Sequence, residues 1–347
     1  MHTLRTPDDR FHTVPDFPYP PRYCEVSDDD GGALRVAWVE DGPAGADPVL
    51  MLHGEPSWSY LYRKMIPVLA GAGHRVVCPD LVGFGRSDKP TRREDHSYAR
   101  HVEWMRALAF DVLDLHNVTL VGQDWGGLIG LRLAAEHPER FARLVVANTG
   151  LPNGDQPMAD VWWRFREAIT SAPQLNIGAF VQGGCRRRLS DAERAGYDAP
   201  FPSDEYCAGP RAMPTLVPTS PEDPAAAANK AAWAKLAVSP TPMLVAFSDS
   251  DPITGPMAAI FQREMRAGHR SSLDPRRRTF PAGGRRRRAG RPHRGVPAPL
   301  IRPRPQRRAQ CQDDDRADRV RRIARAAAAA VGPRQPGGPV PALRPIP

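Results

Sequence analysis

The sequence predicts an α/β architecture: a mostly parallel sheet with helices on both faces and a helical insertion. Three observations carry this expectation. Short apolar runs alternate with amphipathic stretches through the first 148 residues, the rhythm of a parallel sheet covered on both sides. Between about Thr149 and Ser239 that rhythm breaks into short helical pieces rich in Pro and Gly. It then returns at Met243–Ala246.

In chain order, Leu34–Val39 and Val49–His53 read as strands, the second running into a Gly-Glu-Pro turn. A helical stretch around Tyr60–Ala70 precedes strand Arg75–Cys78 and the turn from Asp80 to Ser87. Tyr98–Leu115 has helical spacing, with Val102, Met105, Leu108, Ala109, Val112 and Leu115 on one face. Strand Val118–Val121 leads through a glycine-bounded turn to helix Leu128–Glu136, which stops before Pro138. Strand Leu144–Ala147 closes the first part, 1–148. A helical cap spans 149–238, with Trp162, Trp163, Phe165 and Phe180 clustered in it. The core resumes over 239–266 with strand Met243–Ala246, an acidic loop and helix Pro256–Arg266.

The segment Val118-Thr-Leu-Val-Gly122-Gln123-Asp124-Trp125-Gly126-Gly127 is a strand, then glycine–x–nucleophile–x–glycine, then a helix. This is the nucleophile elbow of the α/β-hydrolase architecture. Asp124 stands at the nucleophile position. A carboxylate is ionised at neutral pH and needs no base to attack. Attack on saturated carbon gives an ester that water can reopen, whereas serine would leave an inert ether. Asp124 therefore points to a carbon bearing a leaving group such as a halide or an epoxide oxygen. An Asp that only caps the following helix is the plainer alternative, and the strand–turn–helix setting tells against it.

His53-Gly54-Glu55-Pro56 follows an apolar strand, where this architecture supplies the second backbone N–H of an oxyanion hole. His53 through Pro67, Pro79 through Pro90 and Gly122 through Gly127 resemble the haloalkane dehalogenase family, specifically its branch with Glu in the loop after the Gly. The resemblance runs to Arg266. It implies that Asp124 is the nucleophile and that Trp125 donates its indole N–H to the departing halide. A lid tryptophan, Trp163 or the adjacent Trp162, would be the second donor, and Glu55 would support the site or position water. An indole N–H is a donor without a competing acceptor, suited to a soft anion. Asp251, in the loop after strand Met243–Ala246, fits the acid that orients a base; Asp249 is the near alternative. The resemblance implies a small haloalkane and water as the partners, with no cofactor and no metal. An epoxide hydrolase remains a second reading, kept open by Tyr197 and Tyr206.

The base is missing. The family's His should follow Asp251 by about thirty residues, near Thr279, yet Arg277 to Gly284 holds none. Read one base late, codons for Arg277 to Gly290 can encode Gly-Gly-His-Phe-Leu-Gln-Glu-Asp-Ala-Gly-Glu-Glu-Leu-Ala, a string similar to the family's own His motif. This suggests a single frameshift near residues 266–273.

Composition agrees with that break. From 267 to 347 there are 21 Arg and five Asp, with no Lys or Glu, a balance of +16; the rest of the chain therefore carries −7 of the total +9. The body is mildly acidic, and the tail is expected to be disordered. A dead scaffold with a nucleic-acid-binding Arg tail is a third reading, disfavoured because the tail lacks Lys and has Phe280 as its one Phe, Trp or Tyr for stacking; neither nucleic acid nor membrane is an expected partner. The five cysteines lack metal spacing, no run suits a membrane span, and the N-terminus has no apolar leader. A cytoplasmic monomer is expected.

Overall fold

The computed structural model describes residues 1–185, 187–248 and 251–265. The expected tail disorder, the place near Thr279 and the alternative acid Asp249 lie outside the described residues.

Seven strands form one sheet: β1 (Arg22–Ser27), β2 (Ala33–Asp41), β3 (Pro48–Leu52), β4 (Arg75–Pro79), β5 (Val118–Gln123), β6 (Phe141–Ala147) and β7 (Met243–Val245). The order across the sheet is β1-β2-β4-β3-β5-β6-β7. β2 runs antiparallel to both β1 and β4, and every pair from β4 to β7 is parallel. All five residues of β3 are buried, as the unbroken apolar run required.

The helices are α1 (Ile66–Gly71), α2 (Tyr98–Arg106), α3 (Trp125–Glu136), α4 (Asp160–Ser171), α5 (Ile177–Gly183), α6 (Asp191–Asp198), α7 (Ala208–Ala212), α8 (Ala226–Val238) and α9 (Met257–Glu264). α3 packs against β5 and β3 and is buried from Trp125 through Ala135, as a helix apolar all round must be. Between β6 and β7 the described residues carry helices and no strand.

Two expected helices differ in detail. The stretch around Tyr60–Ala70 splits into a 3₁₀ turn at Ser59–Tyr62 and helix α1. Pro67 stands in the first turn of α1, where its missing N–H costs nothing, and it bars a continuous helix from upstream. The stretch Tyr98–Leu115 passes from α2 into a π-helix over Ala107–Val112. The extra residue in that wide turn rotates the face, so Val112, expected inside, is 44% exposed while Phe110 is buried.

Among the described residues the helical insertion is fastened to the core at several places, two of them through buried side chains. Near α6, Trp58 Nε1 donates to the Gly196 carbonyl at 3.0 Å, and Arg63 reaches Glu193 Oε1 at 2.8 Å and the Tyr197 hydroxyl at 3.2 Å. Near α8, fully buried Asn229 accepts from Arg132 of α3 at 3.2 Å and donates to the Pro152 carbonyl at 2.6 Å. Among the described residues no helix is long and apolar enough to cross a membrane.

Candidate active site

Parallel strands β3, β5, β6 and β7 are consecutive neighbours in the sheet, so the loops leaving their carboxyl ends converge. These loops carry, in order, Gly54-Glu55, Asp124, Asn148 and Asp251. The residues singled out in three separate stretches of sequence therefore meet at one edge, with Asn148 among them.

Asp124 has φ 50° and ψ −124°, a left-handed conformation that costs a non-glycine residue about 1–3 kcal/mol. Its surroundings hold it there. Its N–H donates to the Asn148 carbonyl at 3.1 Å; its own carbonyl accepts from Gly127 N–H at 2.9 Å and from Thr149 Oγ1 at 2.6 Å. The turn sits directly against the ends of its neighbours: a Cβ on Gly126 would overlap the Leu52 carbonyl, and one on Gly54 would overlap Asp124 itself. Glycine is required at Gly126 because backbone meets backbone there, and at Gly54 because the Asp124 and Gln123 side chains fill the space.

Asp124 Oδ1 accepts the Glu55 N–H at 2.8 Å. Burial pushes the Asp124 carboxyl up to about 6, although the Trp125 and Glu55 amides favour its charged form; the nearby charge of Asp251 adds to the upward push. The two amides mark the oxyanion position. Glu55 Oε1 is sealed from solvent and has no hydrogen-bond partner. Burial first, and the charge of Asp124 second, hold its carboxyl well above the usual range.

His53 is not a base for this site. It is fully buried, with Nδ1 at 3.0 Å from the Gly54 carbonyl and Nε2 accepting the Leu81 N–H at 2.9 Å. Both ring nitrogens are committed to holding the loop that presents Glu55. Among the described residues no histidine hydrogen-bonds Asp124 or Asp251.

Asp251 Oδ2 accepts Asn148 Nδ2 at 2.6 Å and also the Thr254 hydroxyl, while Oδ1 accepts the Ile253 and Thr254 amides at 2.8 and 3.1 Å. Burial raises this carboxyl, but the hydrogen bonds outweigh it and hold Asp251 below the ordinary range. It is thus a fixed anion whose charge acts on Asp124. Asn148, absent from the sequence-based set, links the two acids by its backbone carbonyl and its side chain. A lone Asn after a strand gives no signal of that in sequence.

Trp125 is buried and its ring meets the Tyr98 ring edge-on at 5.0 Å. Trp163, the expected second indole, is 44% exposed, whereas its neighbour Trp162 is 5% exposed. A halide bound through an indole N–H needs a desolvated donor, so burial favours Trp162 over Trp163. Tyr197 is buried with its hydroxyl held by Arg63, and Tyr206 is half-buried. Among the described residues no cluster is suited to holding a metal ion.

The family description "alpha/beta hydrolase fold" matches residues 47–260. The haloalkane dehalogenase of Psychrobacter cryohalolentis is 51% identical over 263 residues, which are 76% of this chain and 86% of that one. Haloalkane dehalogenase 1 of Mycobacterium tuberculosis is 54% identical over 257 residues, 74% of this chain and 85% of that one. The chain belongs to the haloalkane dehalogenase family. A solved family member, the tetrameric haloalkane dehalogenase DpaA of Paraglaciecola agarilytica, superposes with a TM-score of 0.72 at 36% identity, covering 78% of this chain and 91% of its own. Within this family's fold Asp124 sits at the strand-to-helix turn with the Glu55 amide on its carboxylate.

Proposed function

We propose that the chain cleaves carbon–halogen bonds in small alkyl halides through an alkyl ester on Asp124. The observation that carries the reading is the Glu55 N–H on Asp124 Oδ1 at 2.8 Å. It fixes one carboxylate oxygen and leaves the other to attack in line with the carbon–halogen bond. Trp125 and Trp162 would receive the halide through their indole N–H groups. Asp251 would orient a base, and a water activated by that base would open the ester to alcohol, regenerating Asp124 and releasing a proton.

The base is the part this sequence lacks in frame. The chain as written is therefore expected to carry out the first displacement and to reopen its ester slowly, while a one-base restoration near residues 266–273 would supply a His near Thr279. The domain division at 148, 238 and 266, and a cytoplasmic monomer, belong to the same reading. Light scattering decides the last point against the tetramer described for the Paraglaciecola agarilytica protein.

Rapid mixing with a bromoalkane tests the proposal. The expected result is a burst of about one bromide per chain, with an alkyl adduct on the Asp124 peptide by mass spectrometry, and sustained release only from the restored chain. Absence of any burst would overturn the dehalogenase reading; equal steady turnover by both chains would overturn the account of the missing base.

A further inference from the structure

Two acidic side chains flank the reacting position, and no cation is paired with either. Glu55 and Asp124 are joined through the Glu55 N–H at 2.8 Å from Oδ1, and neither forms an ion pair among the described residues. The other titratable groups facing this pocket bring no positive charge. Asp251 is an anion, and Tyr62 is a buried phenol donating to the Leu52 carbonyl at 2.7 Å. His53 is kept neutral by burial. Glu55 Oε1 is sealed off and lacks any partner. A second ionised carboxylate in such a place would be an uncompensated buried charge.

We propose that Glu55 and Asp124 share a single negative charge: Glu55 holds a proton in the resting protein and releases it when Asp124 is alkylated. The inference rests on the dehalogenase reading above.

The placement of the proton follows from the two environments. Asp124 has two amide donors aimed at its carboxyl, which limit its rise to about 6. Glu55 has none on its carboxyl, so burial and then the Asp124 charge drive it well above the ordinary range. When two acids share a site, the less solvated one keeps the proton. At neutral pH Asp124 is therefore the anion and nucleophile.

Alkylation changes the balance. Asp124 oxygen forms a bond to the substrate carbon, the carbon–bromine bond breaks, and bromide leaves with the electron pair. Asp124 becomes a neutral ester, which removes the like charge facing Glu55. Glu55 then passes its proton to solvent and becomes the carboxylate of the pair. In sum, bromoalkane, the Asp124 anion and the Glu55 acid yield ester, the Glu55 anion, bromide and a proton. Simple displacement would release no proton until the ester is hydrolysed. The transfer leaves one carboxylate in the site after Asp124 is esterified.

The test is a single turnover of the full chain with 1-bromobutane in weakly buffered indicator solution at pH 8. Bromide, protons and the alkyl adduct on Asp124 are followed together. The expected result is about one proton per bromide, released in step with adduct formation. In Glu55→Gln, whatever bromide appears comes with no proton until the adduct is lost. Protons that track adduct loss in the native chain would overturn the inference while leaving the dehalogenase reading intact. No bromide at all would sink that reading, and the inference with it. Infrared spectra give an independent check that needs no turnover. The resting native chain should show a protonated-carboxylic-acid band that Glu55→Gln lacks; its absence from the native protein would also overturn the shared charge.

Discussion

Asn148 Nδ2 lies 2.6 Å from Asp251 Oδ2, while the Asn148 carbonyl accepts the N–H of Asp124. One residue thus sets the spacing between Asp124, the proposed nucleophile, and the acid proposed to orient a base. It does so at φ 43°, in the left-handed region that Asn tolerates better than most side chains. Replacing it with Ala removes a hydrogen bond to a charged group, worth about 1.5–3 kcal/mol, and adds backbone strain of about 1 kcal/mol. Asn148→Ala should therefore be destabilised by roughly 2–4 kcal/mol in chemical denaturation. Asn148→Gly, free of the strain, should lose about 1 kcal/mol less. Equal losses in the two variants would show that the left-handed backbone contributes nothing.

The attacking group must be an anion. With Asp124 held at about 6, the rate of the bromide burst should rise as pH increases through that value and level off above it, because only the deprotonated carboxylate attacks. Asp124→Asn should lower the burst rate by roughly 10⁴-fold or more, the scale on which a nucleophile's loss is felt. A burst that stayed constant from pH 5 to 8 would contradict the assignment.

The two lid tryptophans should separate cleanly. Trp162 is buried and Trp163 stands half in solvent, their rings 4.8 Å apart. Trp162→Ala should cost about 3–5 kcal/mol of stability, the range for a buried aromatic; Trp163→Ala should stay within about 0.5–1 kcal/mol. Trp162→Phe, which keeps most of the volume but loses the N–H, should slow bromide release, and Trp163→Phe should leave it near the native rate. The reverse pattern would return the halide-donor role to Trp163.

Most of the sheet is legible in the sequence because its central strands are buried on both faces, so Val49–Leu52 is an unbroken apolar run and Val118–Val121 is interrupted by Thr119 alone. β1 is not, since Arg22–Ser27 alternates polar and apolar residues at the edge of the sheet. The elbow and the loop around Glu55 are visible for a different reason: their glycines are forced by close contact, with backbone at Gly122 and Gly126 and with the Asp124 and Gln123 side chains at Gly54. What escapes is what depends on orientation. Adjacent Trp162 and Trp163 are identical in type, and only the rotation of α4 tells them apart. Asn148 escapes because one of its two links to the acids runs through its backbone carbonyl, which has no sequence signature.

Acid should unfold the protein early. His53, His96 and His101 are buried and all resist protonation, chiefly through burial; His96 is held down to about 4. Between about 6.5 and 4 the unfolded chain binds protons that the folded chain refuses, so stability falls as pH falls through that window. His96 alone accounts for about 3 kcal/mol across it. A melting temperature that fell by no more than a degree or two between pH 7 and 5 would contradict this account.

The stretch from Glu55 to Arg63 does two jobs within nine positions: its first amide meets the nucleophile, and its later side chains, Trp58 and Arg63, rivet α6 to the sheet. Chemistry and roof attachment are thereby welded into one short ribbon. Tolerance to substitution should be unequal around the cavity as a result. Substitutions on the face of α6 that meets Trp58 and Arg63 should be felt at the Glu55 amide on Asp124, whereas those along α4 should not.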